Sequence, residues 1–215
     1  MTAVFLDLDG TLMESHTGIL SSLRHAFRAI GRDDLAASDL MWMIGPPFQD
    51  SFEKLGIDRI EDALEAYRQH YQSGGMYDAL PYEGVLDALD AMQSNGMRLY
   101  LATAKPHAYA KMITAHFGIA ERMVEEFGPE LDGTRNWKGD LLRFALGKTG
   151  EDPATSVMVG DRHHDIAAAA EVGMPSFAVR WGYGSEAEWD GAADILGHVS
   201  DLPDAVQRLF TRSGT

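Results

Sequence analysis

The sequence contains no cysteine. Disulfides, thiolate metal sites and cysteine nucleophiles are thereby excluded. Basic residues are scarce: 18 Lys and Arg stand against 33 Asp and Glu, a formal net charge of -15. Nucleic acids and anionic membranes are recognised by clustered positive charge, so neither is an expected partner. A phosphorylated substrate would also be repelled at long range. Binding one requires a concentrated local cation, either a metal ion or a well-placed lysine. No uninterrupted apolar run reaches membrane-spanning length, and the N-terminus has neither a basic stretch nor a long apolar segment. A cytoplasmic protein is the expectation. There is no internal repeat, and 215 residues suffice for one large domain or a domain with an insert.

What the chain does have is concentrated at its start. Val4-Phe5-Leu6 reads as a buried strand, because these residue types suit a covered, pleated environment. Asp7 and Asp9 follow at spacing i, i+2, which starts both side chains on the same side at the strand's carboxyl end. Gly10 lets the backbone turn tightly there. Taken alone, this is a strand running into an ordinary Asp-Gly turn. Two acids so close repel each other, however, and a cation or a shared proton is what makes them cheap to hold together.

Downstream, residues 17 to 75 pattern as helices only. Thr17 can cap a helix whose Ile19, Leu20, Leu23, Phe27 and Ile30 share one face. Met41-Trp42-Met43 reads as apolar core ending at Gly45-Pro46-Pro47, and Ile60, Leu64, Tyr67 and Tyr71 pattern a longer helix. From Pro81 onward strands and helices alternate. Strands are expected over 97–102, 123–127, 156–159 and 175–179, and helices over 106–117, 140–146, 166–172 and 203–210. Alternation argues for a parallel sheet covered on both faces. The fold class is α/β: a Rossmann-like core (1–16 and 80–215) with a small all-helical cap (17–79) inserted after the first strand. Parallel strands bring Asp7 and Asp9, Thr103, Lys138, and Asp161 with Asp165 to one sheet edge, where such sheets bind ligands.

Asp7-Leu8-Asp9-Gly10-Thr11-Leu12, Thr103, Lys138 and Gly160-Asp161-Arg162-His163-His164-Asp165 resemble, in order, the four motifs of the haloacid dehalogenase-like hydrolase superfamily. The resemblance covers nearly the whole chain, including a helical cap placed as in subfamily I. Gly45-Pro46-Pro47, Thr103-Ala104-Lys105-Pro106, Leu131-Asp132-Gly133 and Trp181-Gly182-Tyr183-Gly184 look like its phosphoglycolate phosphatase and 5'-nucleotidase-like branch. That branch usually carries Ser where Ala104 stands. The expected contact there is a main-chain amide, so the exchange matters little.

The resemblance implies a Mg²⁺-dependent phosphatase acting on a small phosphorylated metabolite, as a monomer or homodimer. It casts Asp7 as nucleophile, forming an aspartyl-phosphate, and Asp9 as the acid and base that serves the leaving oxygen and then the water. The metal ligands would be Asp7, Asp9 through its main-chain carbonyl, and Asp161. Asp165 would join them through a bound water or by orienting Lys138. Lys138 and Thr103 would face the phosphoryl oxygens, with main-chain amides of Asp9 or Gly10 and of Ala104 completing the cradle. Lys105, Glu14, His16 and Gly45 are candidate substrate contacts. A solvated lysine, a turn threonine, helix-terminal acids, hinge residues and a turn glycine are the plain alternatives for these positions taken singly.

His163 and His164 are not expected as metal ligands, because neighbouring histidines point apart on a helix and magnesium prefers oxygen. Arg162 is expected to pair with nearby carboxylates. A phosphomutase would share every core residue and is the alternative function. Dehalogenases of the superfamily typically lack an acid at the Asp9 position. Phosphorylatable receiver domains lack a helical insert after the first strand.

Overall fold

The computed structural model describes residues 2–211. Its chain order is β1 (Ala3–Leu6), β2 (Met13–Glu14), α1 (His16–Ala29), α2 (Asp33–Ala36), α3 (Phe48–Lys54), α4 (Ile60–Gln72), β3 (Leu80–Pro81), α5 (Val85–Ser94), β4 (Arg98–Ala102), α6 (His107–His116), β5 (Glu125–Phe127), α7 (Lys138–Thr149), β6 (Ser156–Gly160), α8 (His163–Glu171), β7 (Ser176–Val179), β8 (Asp194–Leu196) and α9 (Leu202–Thr211), with short 3₁₀ turns between. Six strands form one parallel sheet in the order β5-β4-β1-β6-β7-β8. The apolar run at the N-terminus takes the middle of it. Every residue of β1 is buried, and Phe5 lies opposite Tyr100 on one side and Met158 on the other.

This order has a functional consequence. Later strands are laid down on both sides of β1, so the crossovers run in opposite directions from it. The carboxyl ends of β1, β4 and β6 therefore flank a crevice, the position where open α/β sheets hold ligands. Helices α7 and α8 cover one face through Leu141, Leu142, Ala145, Ala168 and Ala169, which pack on Phe5, Tyr100 and Met158.

The chain divides into two compact units, residues 1–13 with 81–215, and residues 14–80. The second unit is helical. Helix α1 buries Ile19, Leu20, Leu23, Ala26 and Phe27, and α4 buries Ala63, Leu64, Tyr67 and Tyr71, both at helical spacing. Phe27 meets Phe52 at a ring separation of 5.4 Å, and Tyr67 stacks on Tyr71 at 5.3 Å. Close approach is bought by glycine at one point: a Cβ on Gly18 would lie 1.8 Å from the Gly75 carbonyl oxygen.

Several elements differ from the sequence reading. Helix α1 starts at His16 with Ser15 before it, so Thr17 lies inside the helix rather than capping it. Helix α7 begins at Lys138, two residues earlier than the apolar pattern indicates, because its first turn is polar. Helices α6, α8 and α9 and strand β5 end within a few residues of their expected limits. The short α2, β2, β3 and β8 were not expected; β8 is a three-residue edge strand in which Leu196 alone is buried.

The Gly18–Gly75 approach yields a stability prediction. Gly18→Ala forces main chain apart inside the helical unit and should cost about 1–3 kcal/mol. Thermal unfolding of the variant, followed by circular dichroism, reads this as a lowered midpoint.

Candidate active site

The first strand continues one residue past its regular end: the Asp7 amide donates to the Val159 carbonyl at 2.9 Å, fixing Asp7 at the mouth of the crevice. The chain then folds tightly back. Leu12 and Met13 amides both reach the Leu8 carbonyl at 2.9 Å, and the Gly10 amide reaches that of Met13 at 2.9 Å. Gly10 has φ +80°, and a Cβ there would come 2.4 Å from Asp161 Oδ2. Glycine is thus required both by the turn and by the neighbouring carboxylate.

Asp161 and Asp165 follow β6, whose five residues are all buried. Asp165 is buried in the first turn of α8 and accepts the Arg162 amide at 3.1 Å. Asp161 is fully buried and wrapped by the segment after β7. Its Oδ2 accepts the Tyr183 amide at 2.7 Å and the Gly184 amide at 3.2 Å, while its carbonyl accepts Trp189 Nε1 at 2.7 Å. A Cβ on Gly182 would lie 2.4 Å from the Asp161 Cβ, and one on Gly184 would lie 1.8 Å from its carbonyl oxygen. Trp181 Nε1 donates to the Thr11 carbonyl at 3.0 Å, tying this segment to the β1 loop. The sequence singles out Trp181 to Gly184 only by resemblance. The two glycines flanking Tyr183 are the local signal that a backbone must approach something closely there.

Asp7, Asp161 and Asp165 each offer a carboxylate oxygen within 4.8 Å of the others. Lys138, buried at the start of α7, answers them: its Nζ is 2.9 Å from Asp7 Oδ1 and forms an ion pair with Asp165 Oδ1. Burial works against the Lys138 charge, but Asp165 and Asp7 outweigh it and hold the ammonium above its ordinary range. Among the described residues, Asp161 has no such lysine partner. Burial first, then Asp165 and Asp7, push its carboxyl up to about 8. Burial also raises Asp165, to about 6, with Lys138 opposing and Asp7 adding to the shift. Asp161 Oδ1 is buried and has no hydrogen-bond partner among the described residues. Three carboxylates, one with a buried oxygen that no described group satisfies, form a donor set that fits a hard divalent cation such as Mg²⁺.

Thr103 follows β4 directly, buried, and its Oγ1 accepts the Lys105 amide at 3.1 Å. Ala104 lies between them in the loop to α6. Lys105 Nζ lies 3.0 Å from Asp9 Oδ2. Of the residues singled out from the sequence, Asp7, Asp9, Gly10, Thr103, Ala104, Lys105, Lys138, Asp161 and Asp165 thus belong to one unit. Glu14, His16 and Gly45 belong to the helical unit, where His16 Nδ1 is 3.7 Å from Glu14 Oε1 and Gly45 has φ +113°.

One expectation about the histidines is overturned. The His163 and His164 rings do not point apart; their centroids are 3.7 Å from each other. His163 is the first residue of α8 and is drawn to Glu188, which it meets at 3.0 Å. Arg162 pairs with the same carboxylate at 2.8 Å. Burial, with the charges of His163 and Arg162 next, pulls His164 down to about 4.

These shifts set a pH dependence. Without metal, folded Asp161 binds a proton up to about pH 8, whereas the unfolded chain releases it near pH 4. The folded state holds the extra proton between these values, so stability falls as pH rises. His164 acts in the opposite sense, but only below about pH 6.5. Metal-free protein should therefore lose stability between about pH 6.5 and 8. Asp161→Asn should flatten that slope and stabilise the metal-free protein at pH 8 by about 1–4 kcal/mol. Urea unfolding at both pH values in the presence of a chelator measures both effects.

A family model described as haloacid dehalogenase-like hydrolase matches residues 4–179. A 5'-nucleotidase of Pseudomonas aeruginosa is 35% identical over 188 residues, spanning 86% of this chain and 85% of that protein. A protein of Mycobacterium tuberculosis named tyrosine-protein kinase PtkA is 37% identical over 182 residues; the match spans 84% of this chain and 62% of that protein's length. Among solved structures, a predicted phosphatase from Clostridium acetobutylicum superposes with a TM-score of 0.89 at 31% identity, covering 96% of this chain and 98% of that one. The family match runs through both units and spans the acid pair after β1, the lysine at the head of α7 and the acids after β6, and the chain belongs to the haloacid dehalogenase-like hydrolases.

Proposed function

We propose that this chain is a Mg²⁺-dependent phosphatase that hydrolyses a small phosphomonoester through an aspartyl-phosphate on Asp7. The observation that carries the reading is the meeting of Asp7, Asp161 and Asp165 at the switch point of the sheet, with the Lys138 ammonium on Asp7 and Asp165. The names of the relatives support it: one is a 5'-nucleotidase, and the Clostridium acetobutylicum structure is a predicted phosphatase.

Asp7, Asp161, Asp165 and the main-chain carbonyl of Asp9 would hold the cation. When bound, Mg²⁺ supplies positive charge to the phosphoryl oxygens and offsets the repulsion among the acids. Each of the other contributions comes from the chain itself. Asp7 attacks phosphorus, which divides one displacement between two transition states. Lys138 neutralises charge on the transferring group, and Thr103 with the main-chain amides of Gly10 and Ala104 orients it. Asp9 gives its proton to the departing oxygen and later takes one from water. The helical unit, with Glu14, His16 and Gly45, is proposed to contact the remainder of the substrate and to shield the reaction from bulk water. No described helix is long and apolar enough to cross a membrane.

Asp7→Asn should lower phosphate release from p-nitrophenyl phosphate by at least about 10³-fold while leaving the circular dichroism spectrum unchanged. Chelation should abolish wild-type activity, and added Mg²⁺ should restore it. Full activity in the Asn variant, or in chelator, refutes the mechanism.

A further inference from the structure

Lys105, like Lys138, pairs with an acid of the site, but with a different one. The sequence suggests a contact with substrate, since Lys105 follows Thr103 by two residues. In the structure its ammonium is spent on a protein group: Nζ lies 3.0 Å from Asp9 Oδ2, with 5% of the lysine side chain and 14% of the aspartate side chain exposed. The two lysines thereby divide the acids. Lys138 takes Asp7 and Asp165, and Lys105 takes Asp9.

The backbone that carries Lys105 is held from several sides. Its amide donates to Thr103 Oγ1 at 3.1 Å, and the next helix is anchored by the His107 amide on the Pro129 carbonyl at 2.8 Å. A Cβ on Gly128 would lie 2.7 Å from the Lys105 carbonyl oxygen, so the segment after β5 closes on this loop as only glycine permits. On the other side, Asp9 bridges to Met13 within the tight loop after β1. Neither partner sits on a loose segment, and the ion pair joins the β1 and β4 loops across the crevice.

We propose that Lys105 is a positioning residue: its ammonium holds the Asp9 carboxylate apart from the Asp7–Asp161–Asp165 cluster and directed at the leaving-group oxygen. This rests on the phosphatase reading given above. In the first step an Asp7 oxygen bonds to phosphorus as the bond from phosphorus to the departing oxygen breaks, and the proton of Asp9 passes to that oxygen. In the second, water bonds to phosphorus, the bond to Asp7 breaks, and a proton of the water returns to Asp9. An alkoxide leaving group depends on that proton. A p-nitrophenolate, already stable as an anion, depends on it little. Losing the orientation of Asp9 therefore penalises the two substrates unequally, whereas losing a phosphate contact penalises them alike.

The test compares Lys105→Met, which keeps the buried stem without the charge, with wild type on two esters in Mg²⁺. On an alkyl phosphate such as methyl phosphate kcat should fall about 100-fold, and on p-nitrophenyl phosphate by no more than about threefold. In an Asp9→Asn background the same substitution should add no further selective loss. An equal loss on both esters with a raised KM would make Lys105 a phosphate ligand and overturn the proposal; so would unchanged kinetics. Wild-type turnover of p-nitrophenyl phosphate and its loss in Asp7→Asn report separately on the phosphatase reading. A crystal structure of Lys105→Met supplies a readout independent of turnover: the Asp9 carboxylate should leave its wild-type orientation, and an unmoved carboxylate overturns the proposal. Lys105→Gln, neutral and polar, takes the place of the Met variant in every arm if the latter does not fold, with the same outcomes.

Discussion

Three buried carboxylates share a space in which each has an oxygen within 4.8 Å of the others, and one lysine faces two of them. Most of the local architecture follows from that crowding. Burial, together with the neighbouring acids, raises the proton affinity of Asp161 and Asp165, and Asp161, which no lysine faces among the described residues, carries the larger rise. The protein meets the cost with fixed dipoles. Two main-chain amides point at one Asp161 oxygen, and an indole N–H anchors its carbonyl. Gly10, Gly182 and Gly184 leave room for these groups to close in. The second Asp161 oxygen is left without a hydrogen-bond partner among the described residues, which suits a donor set for a divalent cation.

Placement of this cluster depends on the sheet. β1 lies between β4 and β6, so the loops after all three strands open on one crevice. The strand cores supply rigidity: β1 and β6 are buried along their whole length. The polar groups appear at the first residues beyond the regular ladder, Asp7 after β1, Thr103 after β4 and Asp161 after β6. Loops held by such a frame position catalytic groups while leaving the strands free to be apolar. The Lys105–Asp9 and Trp181–Thr11 contacts then tie the neighbouring loops to the β1 loop.

Much of this was legible in the residues. Val4-Phe5-Leu6 and Ser156-Val157-Met158-Val159 are short apolar runs ending in Asp or Gly-Asp, and helices and strands alternate after residue 81, so the parallel sheet and its active edge follow from pattern alone. The first turn of α7 was less visible because Lys138, Gly139 and Asp140 carry no apolar period; packing, not propensity, makes it helical. Strand β8 was invisible for a similar reason, having three residues and a single buried side chain. Proximity between side chains was the least legible. Adjacent histidines on a regular helix diverge, yet Glu188, from a distant turn, draws His163 beside His164. Lys105 is a candidate substrate contact in the sequence, and its ion pair with Asp9 shows only in the folded loops.

The central claim is that the acid cluster is assembled for a divalent cation and carries a proton in its absence. Calorimetric titration of the chelated protein with Mg²⁺ near pH 7, repeated in buffers of different ionisation enthalpy, tests it directly. The account predicts saturable binding with release of up to about one proton per site, both lost or strongly weakened in Asp161→Asn. Binding without proton release, or equally strong binding in the Asn variant, would contradict it.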